Sequence, residues 1–141
     1  MATTRTAVAH WEGSLFEGAG KVNLESSGVG TFDVSWPARS EEPNGKTSPE
    51  ELIAAAHSSC FNMALSLVLD KAGNPPTSLD TTARVTFQPG TGITGSALSV
   101  VGNVPGITAE QFEEAAQDAK ANCPVSQALK IPITLETSFT G

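Results

Sequence analysis

The sequence predicts an α+β domain. Three observations lead there. The first forty residues are short strand-like segments punctuated by glycine, a long capped apolar helix follows, and alternating segments then bracket a second capped helix. Residues 5–11, Lys21–Leu24 and Phe32–Trp36 are the opening strands, divided by Gly13, Gly18, Gly20, Gly28 and Gly30, which supply turn conformations. Ala38 to Pro49 reads as a polar loop. The long helix opens at Ser48-Pro49-Glu50-Glu51, with Ser48 as N-cap, Pro49 at N1 and Glu51 at N3 completing a capping box. It runs to about Ala72, where Gly73-Asn74-Pro75-Pro76 stops it. Apolar residues occur on nearly every face, which predicts a helix enclosed on most sides.

The second half alternates. Ala83, Val85 and Phe87 face away from Thr82, Arg84 and Thr86, giving a half-buried strand over Thr82–Gln88, and Ile93–Val101 is its partner across Pro89-Gly90. Thr108 caps the next helix with Gln111 at N3 and Ile107 placed to staple onto Phe112. Pro124 ends it near Asn122, a short helix over Val125–Leu129 follows, and Ile131, Ile133 and Leu135 mark a last strand despite Pro132.

The chain has 141 residues, enough for one domain over 1–141 with a core of its own. A net charge of −7 argues against a nucleic-acid or anionic-membrane partner, both of which need a basic footprint. Two cysteines are too few for a secreted disulfide scaffold and suit a reduced, intracellular setting. The N-terminus has one basic residue and no apolar h-region. Leu52 to Leu69 is uncharged over 18 residues, the length at which a membrane span becomes a candidate, but it contains His57, Ser58, Ser59, Asn62 and Ser66 without a flanking positive cluster. A helix buried in a soluble core explains it better, so the expectation is a soluble cytoplasmic protein. A helix ~36 Å long has few elements of one subunit to surround it, and a symmetric dimer is the economical solution.

The candidate chemistry rests on few residues. Cys60 lies mid-helix and Cys123 just before Pro124, 63 positions later. Both thiols are either small core residues or a reactive pair. Ser58, Ser59 and Asn62 near Cys60, and the orphan amides expected after Cys123, favour reactivity without deciding it. Arg39 is either a solvated loop arginine or the cation a thiolate needs. Glu50 is either a dipole partner at the helix start or a site carboxylate. Ten residues of helix put Glu50 ~15 Å along the axis from Cys60, so a shared site requires a second subunit or a bent helix. His57 and Cys60 stand at i and i+3 and could ligate zinc with Cys123, but no paired Cys-x-x-Cys or His-x-x-x-His element supports a metal. Gly18-Ala19-Gly20 and Gly28-Val29-Gly30 lack the helix of a phosphate cradle.

The run Ser48-Pro49-Glu50-Glu51-Leu52-Ile53-Ala54-Ala55-Ala56-His57-Ser58-Ser59-Cys60-Phe61-Asn62-Met63-Ala64-Leu65-Ser66 resembles the signature helix of the OsmC family of osmotically inducible proteins, related to the organic hydroperoxide resistance proteins. Ala119 through Leu129 resembles its second cysteine motif, and Ala9–Gly13 and Pro76–Ala83 match as well. The resemblance implies antiparallel sheets wrapped around long central helices in an intertwined homodimer. It also implies a thiol-dependent peroxidase that reduces organic hydroperoxides, and hydrogen peroxide, with no cofactor. Cys60 is then the peroxidatic thiol and Cys123 the resolving thiol, with Arg39 and Glu50 ordering the site and a dithiol, such as a lipoylated protein, as reductant. Resistance-protein members carry the arginine in the first hairpin, where Trp11–Gly18 has none; OsmC-type members carry it in the loop before the helix, where Arg39 stands. The competing class is a non-catalytic dimeric binding module with two buried thiols.

Overall fold

The computed structural model describes residues 1–141. They form two compact units, Met1–Leu52 and Ile53–Gly141.

In the first unit, β1 (Val8–Glu12), β2 (Ala19–Asn23) and β3 (Thr31–Val34) form an antiparallel meander in the order β1-β2-β3. Trp11 pairs with Gly20, and a Cβ at Gly20 would sit 2.6 Å from the indole ring, so only glycine lets the strands close there. Every residue of β1 is exposed, as are Phe16 and Phe32. The third strand stops two residues short of the expected Trp36. There the chain turns into a short helix, α1 (Trp36–Ser40), inside the stretch read as a strand end and loop. Its cause is local: Ser35 caps the N-terminus by accepting from the Ala38 amide at 3.2 Å, and Pro37 stands in the first turn.

The long helix, α2 (Pro49–Lys71), has the expected bounds. Ser48 accepts the Glu51 amide at 3.1 Å, but Glu51 accepts from the Thr47 hydroxyl at 2.6 Å instead of reaching back to the cap, so the box is half made. The helix stops in a Schellman motif. Gly73, at φ 87°, donates to the Asp70 carbonyl, and Asn74 donates to that of Leu69.

In the second unit, β4 (Ser78–Gln88) and β5 (Gly92–Asn103) are an antiparallel hairpin, each longer than its apolar core suggests. The final strand, β6 (Ile133–Thr140), starts after Pro132 and pairs parallel to β5. This corrects the expectation of purely antiparallel sheets. The reason is the connection: α3 (Ala109–Asn122) and α4 (Pro124–Ala128) carry the chain back across the sheet, so β6 re-enters in the direction of β5. The capping box of α3 is complete, with Thr108 and Gln111 exchanging bonds of 2.9 and 3.1 Å.

One stripe of α2 enters this core. His57, Phe61, Leu65 and Leu69, four residues apart, are at most 2% exposed and pack with Leu98, Val100, Val104, Phe112, Ala116 and Ala119. Each of the large apolar side chains contributes ~1.5–3 kcal/mol of burial. The opposite stripe is open, with Met63 at 74% and Leu67 at 54% exposure. The expectation of a helix enclosed on most sides is therefore not met within one chain: of an 18-residue stretch apolar enough to suit a membrane span, only 22% of the residues are buried.

Candidate active site

Cys60 is placed by α2, on the flank of its buried stripe, and is partly exposed. Cys123 closes α3 and precedes Pro124 at the start of α4; it is fully buried. The packing of α2 against this junction brings the two thiols together, with Cys123 Sγ 2.9 Å from Cys60 Sγ in a hydrogen bond and both cysteines reduced.

Their acidities diverge. Burial pushes the Cys60 thiol up, and its bond with Cys123 adds to this against a smaller opposing contribution from the Val125 amide. Burial also raises Cys123, but hydrogen bonds from Cys60, from the Ser126 amide and hydroxyl, and from the Val125 amide together outweigh it, so this thiol falls below its ordinary value. The contact between the two sulfurs links their acidities. Within one chain Cys123 is the thiol whose surroundings favour the thiolate.

Cys60 opens onto a groove of about 690 Å³ lined by Met63, Ala64, Leu67, Asn122 and Pro124, among others. Phe61, next to Cys60 in sequence, is wholly buried in the core and does not line the groove.

Arg39, in the last turn of α1, and Glu50, in the first turn of α2, meet within the first unit. Arg39 Nε donates to both carboxylate oxygens at 3.0 and 3.1 Å, and Nη2 donates to Oε2 at 2.8 Å. This is a fork-shaped, charge-assisted pair with the carboxylate end buried. Sequence reasoning singled out these four side chains. The structure groups them as Cys60 with Cys123 and Arg39 with Glu50.

His57 is held by two hydroxyls. Its Nδ1 lies 2.7 Å from Ser96 Oγ and its Nε2 2.8 Å from Ser126 Oγ, so both ring nitrogens are engaged by hydroxyls, and burial holds its pKa down. Ser96 and Ser126 are residues the sequence reading missed. Ser126 stood inside the second cysteine motif, three positions after Cys123; nothing marked Ser96.

The sequence model of the family described as OsmC-like protein matches residues 42–138. The chain belongs to the OsmC family. It is 48% identical over 139 residues to peroxiredoxin OsmC of Escherichia coli (strain K12), covering 96% of each chain. It is 32% identical over 125 residues to the organic hydroperoxide resistance protein OhrA of Bacillus subtilis (strain 168), covering 84% of this chain and 87% of that one. Among solved structures, the crystal structure of an OsmC-like protein from Mycoplasma pneumoniae superposes with a TM-score of 0.74 over the full length of both chains at 12% identity, a likeness of fold. The α+β arrangement of two small sheets and a long helix is thus the OsmC-like fold, as the motifs around Cys60 and Cys123 implied.

Proposed function

We propose that this OsmC-family chain is a cysteine-based hydroperoxide reductase in which Cys60 attacks the peroxide and Cys123 resolves the product. The observation that carries this reading is the pair of reduced thiols 2.9 Å apart, one opening onto an apolar groove and the other fully buried. A peroxide entering the groove reaches only Cys60. The Cys60 thiolate attacks one peroxide oxygen, the O–O bond breaks, and the alcohol or water leaves with a proton, so that Cys60 becomes a sulfenic acid. Cys123 then attacks that sulfur, the hydroxyl departs as water, and a disulfide remains. A dithiol reductant, of the dihydrolipoyl type, restores both thiols by exchange at the accessible Cys60 sulfur.

The Cys60 thiol is raised within its own chain, so its thiolate needs a cation from elsewhere. Arg39, fixed by Glu50, is that cation, and it comes from a second copy: Glu50 stands ten residues along α2 from Cys60, ~15 Å of helical rise. The open stripe of Met63 and Leu67 and the exposed aromatic side chains of the first unit support a homodimer that covers them. The active form is then an intertwined pair of OsmC-like domains, and its free thiols suit the reducing cytoplasm. The apolar groove favours organic hydroperoxides over hydrogen peroxide.

Stoichiometric hydroperoxide added to the reduced protein should remove both free thiols and lower the intact mass by about 2 Da, the two hydrogens lost on disulfide closure. Survival of that response in Cys60→Ser would overturn the assignment.

A further inference from the structure

A buried polar chain ends on Ser126, three residues after the resolving thiol. Ser96 is 2%, His57 0% and Ser126 7% exposed, and they lie on β5, α2 and α4, so three elements converge on one line of hydrogen bonds. The contacts are 2.7 Å from Ser96 Oγ to His57 Nδ1 and 2.8 Å from His57 Nε2 to Ser126 Oγ; Ser126 stands three residues after Cys123, which caps the same short helix, and its hydroxyl and amide help to hold the pKa of that buried thiol down. No buried side-chain nitrogen or oxygen is left unsatisfied. Such an arrangement is costly to hold in a core of Phe61, Leu65 and Leu98 unless every member is paired.

Proton counting gives the chain a direction. A neutral imidazole has one N–H and one bare nitrogen. A serine has one O–H, so if Ser126 donates to the Cys123 sulfur it must accept from His57 Nε2–H. Nδ1 is then bare and accepts from Ser96. Every proton of the chain then has a place, and the Ser126 hydroxyl is left to serve the Cys123 sulfur.

We propose that Ser96, His57 and Ser126 form a relay that holds and polarises Cys123, making His57 and Ser126 positioning residues for the disulfide steps and not for the attack on peroxide. The inference rests on the reading of Cys60 and Cys123 given above. In resolution, the Cys123 S–H gives its proton to the departing hydroxyl of the Cys60 sulfenic acid while its sulfur lone pair forms the S–S bond. The S–O bond of Cys60 breaks as the S–S bond forms, the sulfenic sulfur is reduced by one formal unit as the Cys123 sulfur is oxidised by one, and water leaves. The Ser126 hydrogen bond supports the negative charge that grows on Cys123 as the proton departs. In recycling the charge returns: the reductant thiolate attacks the accessible Cys60, and Cys123 leaves as a thiolate into the same donors, where a more acidic leaving thiol departs faster.

The test separates the two half-reactions by rapid mixing of reduced protein with one equivalent of an organic hydroperoxide, with sulfenic acid trapped by a dione reagent and disulfide followed by intact mass. In Ser126→Ala, disulfide closure should slow about tenfold, equivalent to ~1.4 kcal/mol of barrier, and trapped sulfenic acid should rise, while peroxide consumption slows by less than about threefold. Ser126→Thr, which keeps the hydroxyl, should restore closure. His57→Gln, which keeps an N–H toward Ser126, should fall between the two and serves if the alanine variant does not fold. Equal slowing of both steps, or closure at the wild-type rate in a folded Ser126→Ala, would overturn the relay. Absence of any sulfenic acid or disulfide in the wild type would instead overturn the peroxidase reading itself.

Discussion

Glu50→Gln keeps the shape of the Arg39 pair and removes its charge. Three N–H bonds, at 3.0, 3.1 and 2.8 Å, converge on the two carboxylate oxygens. The amide retains one acceptor and turns its NH2 toward the guanidinium. Hydrogen bonds to charged groups contribute ~1.5–3 kcal/mol and neutral ones ~0.5–1.5 kcal/mol, and breaking a fully buried pair costs ~3–5 kcal/mol. Here the Glu50 side chain is 8% exposed but that of Arg39 is 30% exposed, so water screens the guanidinium end. The expected coupling between the two side chains is therefore ~2 kcal/mol, below the fully buried range. A double-mutant cycle with Arg39→Gln, followed by urea unfolding at one protomer concentration, measures it. The same cycle on the rate of Cys60 oxidation should show the two single variants and the double variant losing activity by similar factors, since the residues act as one unit. A stability coupling below ~0.5 kcal/mol, the level of an ordinary surface ion pair, would refute the reasoning.

The remaining expectations concern the thiols, the groove and His57. Cys123→Ser should consume the first equivalent of peroxide at nearly the wild-type rate and accumulate Cys60 sulfenic acid, which excess peroxide carries on to sulfinic acid visible by intact mass; clean disulfide formation between chains would count against Cys123 as resolver. Met63→Ala should lower kcat/KM for a bulky organic hydroperoxide about tenfold, equivalent to ~1.4 kcal/mol, with little effect on hydrogen peroxide; equal losses on both would argue that the groove does not select substrate. Burial holds the His57 pKa below its ordinary value, so the unfolded chain takes up a proton near pH ~6.5 that the folded chain refuses. Stability is then intact above that pH and falls as pH is lowered, by up to ~1.4 kcal/mol per unit. Urea midpoints of His57→Gln should be flatter than wild type between about pH 6.5 and 5, above the range where carboxylates titrate; an identical slope would remove His57 as the cause.

Much of the fold was legible because its signals are local. Ser48-Pro49 at the start of α2, Gly73 at its end, and the reciprocal Thr108 and Gln111 cap of α3 depend on neighbours in sequence, and the helices lie where those residues put them. The short helix α1 was equally local but overlooked, since Ser35 before Trp36-Pro37 is a capping signal that a strand reading obscured. The parallel entry of β6 was not local: Ile133, Leu135 and the alternation beyond them define a strand but not its direction. Among the site residues, the motifs drew attention to Cys60 and Cys123, but their 2.9 Å approach depends on packing across 63 positions. His57 was visible and its partners were not, because two serines gain meaning only when β5 and α4 deliver them to opposite edges of one imidazole.

Closing the disulfide between Cys60 and Cys123 would tie off a loop containing the end of α2, the β4–β5 hairpin and all of α3. A loop of that length removes about 4 kcal/mol of chain entropy from the unfolded state. For a domain of this size, that raises the melting temperature by on the order of 10 °C. The enzyme would thus be most resistant to heat and proteolysis when spent, and loosest when both thiols are ready. Each turnover would pass the chain between two stabilities, so an oxidised preparation and a reduced one would melt as if they were different proteins.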